Sequence, residues 1–116
     1  MFDRAFIDTN ILIYLFSADE PDKRIIANDV FLSYSEPVVS IPVLNELSNV
    51  MLKKLRVPSE NVRNAVREIS EATIISFFDC FHLATAAENA CSVFFSEDMQ
   101  HGQKIGTMKI INPFHP

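Results

Sequence analysis

The sequence predicts an α/β fold, a central parallel sheet with helices on both faces. Two observations predict it. Short apolar runs alternate with segments of helical period along the whole chain. And 48% of the residues are apolar while only 2 are glycine, which suits a densely packed domain of regular structure and excludes a disordered or fibrous chain. At 116 residues the chain is expected to form a single domain, residues 1–116, long enough to bury a core without staples.

Each element follows from local chemistry. Ala5-Phe6-Ile7 is a short apolar run ending at Asp8, which reads as a buried strand. Asp8-Thr9-Asn10 then caps a helix running from Ile11 to Phe16. Asp19-Glu20-Pro21 opens a second helix with Ile26, Val30 and Tyr34 on one face, and Glu36-Pro37 breaks it. Val38 to Ile41 is the next strand. Pro42 suits the first turn of a third helix, striped by Val43, Leu47, Val50 and Met51. Pro58-Ser59 restarts the chain as a fourth, with Val62, Ala65, Val66 and Ile69 in register. Phe77 to Ala90 is apolar almost all round apart from Asp79, His82 and Glu88, and predicts a deeply buried helix. Ser92 to Phe95 and Met108 to Ile111 are two further strands. Repeats, low-complexity tracts and linkers are absent.

Charge and composition narrow the function. A formal charge of -5 is the wrong sign for a protein that holds nucleic acid by bulk charge, though it suits a site that spends carboxylates on a metal ion. No apolar stretch reaches the roughly 20 residues that span a bilayer, and Met1-Phe2-Asp3-Arg4 lacks the basic start of a signal peptide. A soluble, cytoplasmic protein without membrane contact is expected. Cys80 and Cys91 form no CxxC pair and sit in apolar runs, which predicts buried, reduced thiols.

Four carboxylates carry the chemical reading. Asp8 follows the first strand and Asp98 follows Val93-Phe94-Phe95; if those strands are neighbours, both acids face one crevice beyond the carboxyl ends of the sheet. Glu46 stands early in the helix after the second strand, near the same edge. Asp79 is flanked by aromatic residues, where an ionised carboxylate needs a partner or a cation. Each has a plainer reading: Asp8 and Asp79 as helix caps, Glu46 as a solvated helix residue, Asp98 as a turn residue in Ser96-Glu97-Asp98. Jointly they are better explained by an ion. Crowded carboxylates raise each other's pKa unless a cation intervenes, and an oxygen-only set suits Mg2+ or Mn2+. Such an ion activates water and stabilises phosphoryl charge, so phosphodiester hydrolysis is the natural chemistry.

Four segments in order resemble a known family. Phe6-Ile7-Asp8-Thr9-Asn10-Ile11-Leu12 resembles the opening of PIN-domain nucleases, especially the VapC-type toxins of VapBC toxin–antitoxin pairs. Pro42 to Leu47, Ser76 to Ala87, and Phe95 to Gly102 with Ile110 to Phe114 resemble the later acidic motifs and the closing strand. The resemblance implies a PIN-like three-layer α/β/α domain and a Mg2+- or Mn2+-dependent endoribonuclease. It assigns Asp8, Glu46, Asp79 and Asp98 as the catalytic and metal-binding acids, with Asn10 and Ser96 supporting them. It also implies an RNA substrate, a cognate antitoxin that blocks the cleft, and a homodimer. The chain departs from the family between Glu46 and Asp79, where some twenty residues that supply an edge strand are usually found. Either Thr73-Ile74-Ile75 is a residual strand with a tight connection, or that segment is missing.

Alternatives stay open at this level. A DNA nuclease would use the same acids, and a catalytically inactive PIN-like module would only bind a partner. A phosphoacceptor receiver domain shares the length and sheet, but it needs adjacent acids after the first strand, where this chain has Asp8-Thr9-Asn10. His82, one helical turn from Asp79, reads first as a satisfied boundary histidine and second as a partner of that carboxylate. His101 reads as a turn residue. Lys53, Lys54, Arg56, Arg63 and Arg67 are mixed with Glu60, Glu68 and Glu71, so they form an ordinary solvated face as readily as an RNA track.

Overall fold

A computed structural model of the chain describes residues 4–76 and 82–115. The elements run β1 (Arg4–Ile7), α1 (Thr9–Leu15), α2 (Pro21–Ser33), β2 (Glu36–Ser40), α3 (Ile41–Lys53), α4 (Ser59–Ala72), β3 (Ile74–Ser76), α5 (His82–Glu88), β4 (Val93–Phe95), β5 (Lys104–Ile105) and β6 (Met108–Ile111). The expected mixed α/β architecture, a mostly parallel central sheet flanked by helices, is what they form. The strand order is β3-β2-β1-β4-β6-β5, parallel throughout except for the β5–β6 pair.

The helix starts follow the sequence signals. Asp8 caps α1, and its side chain accepts the Thr9 N–H. Pro21 occupies the first turn of α2. Ser40 caps α3 through Oγ, which accepts the Val43 N–H at 3.3 Å. The core-facing stripes are close to the expected ones: Val43, Leu47 and Met51 on α3 and Val62, Ala65 and Ile69 on α4 are buried, whereas Val50 and Val66 are only half-buried and Leu44, outside the expected stripe, is buried. Pro37 lies inside β2 opposite Ala5, not in a break before it. It sits at the strand's start, before pairing with β3 begins at Val38, where a residue without an N–H is tolerated.

Parallel strands joined by right-handed crossovers put α1 to α4 on one face of the sheet and α5 on the other. Side-chain alternation agrees. Phe95 meets the edge of Tyr34, just after α2, at 5.4 Å between ring centroids. Its neighbour Phe94 points the opposite way and stacks on Phe6 at 4.9 Å, and Phe6 in turn meets the His82 ring of α5 at 5.7 Å. Phe6, Ile7, Val38, Val39 and Phe94 are almost wholly buried at the centre of the sheet.

Three expectations are refined. The edge strand is reduced but present: β3 has three residues and pairs with β2, Val38 to Ser40 against Ile74 to Ser76. The helix expected over 77–90 to be buried all round exposes Ala84, Ala87 and Glu88 and buries only Thr85 and Ala86 within α5. Alanine favours helix on an outer face as well as an inner one, so its abundance mimics a buried helix; residues 77–81 lie outside the described part. Finally, β5 has no counterpart in the sequence reading. It pairs with β6 through a two-residue turn in which Gly106 has φ +62°, the conformation such hairpins require.

Cys91 is buried, as expected, and burial pushes its thiol up to about 11; Cys80 lies outside the described residues. Among those residues no helix is long and apolar enough to cross a membrane. Phe94 is 1% exposed and stacked within an interior strand. Phe94→Ala is expected to cost about 3–5 kcal/mol, read as a fall in the urea midpoint, whereas truncating the exposed Leu32 (72% exposed) should cost little.

Candidate active site at the switch point of the sheet

The chain leaves β1 toward β2 and leaves β4 toward β6, so β1 and β4 flank the topological switch point of the sheet. Ligands of open parallel sheets bind there, beyond the carboxyl ends of the strands. Ile7 lies opposite Phe95, and the Asp8 N–H extends the ladder by donating to the Phe95 carbonyl at 3.1 Å. Asp8 and Ser96 therefore emerge side by side. The Ser96 N–H donates to the Ile111 carbonyl at 3.1 Å, which anchors the far side of the loop to β6.

A hydrogen-bond network joins the expected residues. Asp8 Oδ1 accepts the Thr9 N–H at 2.8 Å, and Asp8 Oδ2 accepts the Ser96 hydroxyl at 3.2 Å. Ser96 Oγ also accepts the Asp98 N–H at 3.2 Å. Asn10 Nδ2 donates to Asp98 Oδ2 at 2.7 Å. The buried Thr9 hydroxyl donates to Glu46 Oε2 at 3.1 Å. Asp8, Glu46 and Asp98 thus share one edge, linked through Thr9, Asn10 and Ser96. Asp79 lies outside the described residues.

The plain cap reading of Asp8 holds too: it does cap α1, with one oxygen. Capping and ion binding are compatible, because an ionised carboxylate offers about four acceptor positions. Thr9 escaped the sequence reading; only its place between Asp8 and Asn10 marks it. His82 is not the satisfied histidine expected. Its Nε2 stands 3.9 Å from Asp8 Oδ1, and its Nδ1 is buried with no hydrogen-bond partner among the described residues. His101 is a turn residue as read: its Nδ1 accepts the Asn112 N–H, and its ring stacks on His115. The five basic side chains of α3, α4 and the turn between them are all exposed.

The acids of this fold divide by how their charge is met. Glu36 pairs with Arg4 at 2.7 Å and Glu97 with Lys23 at 2.8 Å. Asp8, Glu46 and Asp98, by contrast, receive hydrogen bonds from neutral donors, and among the described residues no Lys or Arg pairs with them. Uncompensated oxygen donors on one edge fit a hard divalent cation in kind. Among the described residues no three Asp, Glu, His or Cys side chains come together as a metal-binding group by themselves.

Glu97 differs sharply from its neighbour Asp98. Partial burial pushes its carboxyl up, but hydrogen bonds from Lys23 and Tyr14 outweigh this and hold it below its ordinary value of 4.5. The Glu97 bond, then the Tyr14 bond, raises the Lys23 ammonium. A depressed acid contributes stability that is present above its unfolded value and is lost as pH falls through its folded value. Wild type should therefore lose its stability advantage over Glu97→Gln as pH falls from about 6 to about 3. Urea midpoints across that range check this; a difference independent of pH would contradict it.

The family model for the PIN domain matches residues 5–72, more than half of the chain. The match takes in Asp8, Thr9, Asn10 and Glu46 and ends before β3 and the loop after β4. No curated protein sequence matches the chain at a significant level. PIN domains are generally metal-dependent nucleases, and the matched segment covers Asp8, just past β1, and Glu46 of α3. On this match and this fold, the chain belongs to the PIN domain family.

Proposed function

We propose that this PIN domain is a Mg2+- or Mn2+-dependent endoribonuclease, the VapC-type toxin of a type II toxin–antitoxin pair. The observation that carries the reading is the set of carboxylates at the switch point that neutral donors position and that, among the described residues, no Lys or Arg neutralises. Asp8 and Asp98, with Asp79 and Glu46, would hold the ion; Asn10 and Ser96 support them. When bound, the ion supplies an activated water and stabilises charge on the phosphoryl group.

The chain's own residues prepare that site. Thr9 sets the rotamer of Glu46, and Asn10 sets that of Asp98. Ser96 fixes the separation of Asp8 and the Asp98 backbone by bonding to both. Asp8 is half-buried, whereas Glu46 and Asp98 are exposed, so a polymer can reach the edge from solvent. With a net charge of -5, attraction for RNA would be local to a bound ion, and unspecific binding weak. A cognate antitoxin that covers this edge, a homodimer, a single domain and a cytoplasmic site of action complete the proposal.

A catalytically inactive PIN-like module is the competing reading, since the reduced β3 borders the segment that carries Asp79. Both readings meet one experiment. Wild type should cleave a mixed RNA pool with Mn2+, and Asp8→Asn should abolish cleavage while still accepting the Thr9 N–H and keeping the fold. Mn2+ at a hundredfold excess over its Kd should stabilise wild type by about 2.7 kcal/mol and leave Asp8→Asn unmoved. Equal cleavage by the two proteins would overturn the role of Asp8. Absence of both cleavage and Mn2+-dependent stabilisation would favour the inactive module.

A further inference from the structure

The loop after β4 is held from two directions. Ser96 and Asp98 bond toward the start of α1, through Asp8 and Asn10. Glu97, between them, reaches further along the same helix. Its Oε1 accepts the Tyr14 hydroxyl at 2.7 Å and its Oε2 accepts Lys23 Nζ at 2.8 Å, while Lys23 also donates to the Tyr14 hydroxyl at 3.1 Å. Asn10 and Tyr14 stand four residues apart, on one face of α1, so the loop lies along that face.

The tail after β6 closes the group. Asn112 Nδ2 donates to the Glu97 carbonyl at 3.4 Å, and Asn112 Oδ1 accepts the Phe114 N–H at 3.0 Å. The Phe114 ring meets Tyr14 edge-on at 5.0 Å, and the Lys23 ammonium lies 4.8 Å from the Tyr14 centroid and 5.4 Å from that of Phe114. Residues from α1, α2 and the tail therefore converge on one loop residue, Tyr14 and Lys23 on the Glu97 carboxylate and Asn112 on its carbonyl.

We propose that Lys23, Tyr14 and Glu97 are positioning residues: a clasp that sets Ser96 and Asp98 against Asp8 at the metal-binding edge. The inference rests on the proposed function for what that edge does, but not for the clasp itself. Its physical basis is charge. Asp98 is exposed and stands near Asp8, so like-charge repulsion and solvent competition both favour an outward swing of the loop. The Asn10 contact to the Asp98 carboxylate is exposed, and the Ser96 bonds to Asp8 and to the Asp98 N–H are long at 3.2 Å, so these oppose the swing only in part. Glu97 would add to the repulsion if unpaired; paired with Lys23 and bonded to Tyr14, it becomes the tether instead. None of the three is among the acids proposed to hold the ion, so loss of the clasp should misplace Asp98 without removing a ligand.

Amide hydrogen exchange and steady-state kinetics test this together. In the metal-free protein, Lys23→Met and Glu97→Gln should each speed exchange of the Asp98 N–H about tenfold, a coupling typical of one hydrogen-bond network, with the Phe94 N–H unchanged as a report that the core holds. With Mn2+ and RNA, both should lower kcat about tenfold with little change in KM. The double variant should be no worse than Lys23→Met, and Lys23→Arg should retain both protection and kcat. Unchanged Asp98 exchange in both single variants would overturn the clasp, as would a Lys23→Arg variant as impaired as Lys23→Met. If Glu97→Gln fails to fold, Lys23→Met, a substitution on a partly exposed side chain, decides alone. If wild type does not cleave RNA, the proposed function fails while the exchange result still decides the clasp.

Discussion

Parallel pairing of β1 with β4 is the constraint on which the site depends. Those strands are separated by most of the chain, yet Ile7 lies opposite Phe95 and the ladder continues through the Asp8 N–H to the Phe95 carbonyl. A slip of one residue would turn Phe6 and Phe94 away from each other and send Asp8 and Ser96 to opposite faces. The stacked Phe6–Phe94 pair makes that slip costly, because both rings are buried against the α5 face. Core packing and site geometry are thus one problem: the apolar residues that end at Ile7 and Phe95 fix where the polar residues begin.

From that register the polar edge follows with little freedom. Asp8 caps α1, so the helix axis is fixed relative to the carboxylate, and Thr9 and Asn10 are carried in the first turn toward Glu46 and Asp98. Electrostatics then separates two kinds of acid. Glu36 and Glu97 are met by Arg4 and Lys23 and tie elements together. Asp8, Glu46 and Asp98 are oriented by neutral groups that leave their charge available. This second arrangement suits a family that is generally metal-dependent, because an oxygen donor without a basic partner is open to a hard cation.

The sequence was most informative where the signal is local. Ala5-Phe6-Ile7 followed by Asp8-Thr9-Asn10 marks both strand and cap, and Pro42 and Pro58 mark helix starts; the structure has all of these. Convergence of residue 98 on residue 8 was an inference that needed the strands to be neighbours, and no local pattern supplies that. The same limit hid Thr9 as the partner of Glu46, and Lys23 and Tyr14 as partners of Glu97: each contact joins residues that share no periodicity. Composition misled in one place. Alanines within α5 read as a buried helix, although a small apolar residue is at home on an outer surface. The β5–β6 hairpin carries only a short signal in the sequence, the lone Gly106 at its turn, whose positive φ is a property of the fold. Asp79 lies outside the described residues, so its place rests on the resemblance of Ser76 to Ala87.

The most direct measurement is anomalous diffraction from crystals grown with Mn2+. A single strong peak is expected at the switch point, within about 2.5 Å of carboxylate oxygens of both Asp8 and Asp98. A saturated crystal whose only manganese lies elsewhere, or which holds none, would contradict the claim that this edge exists to bind a divalent ion.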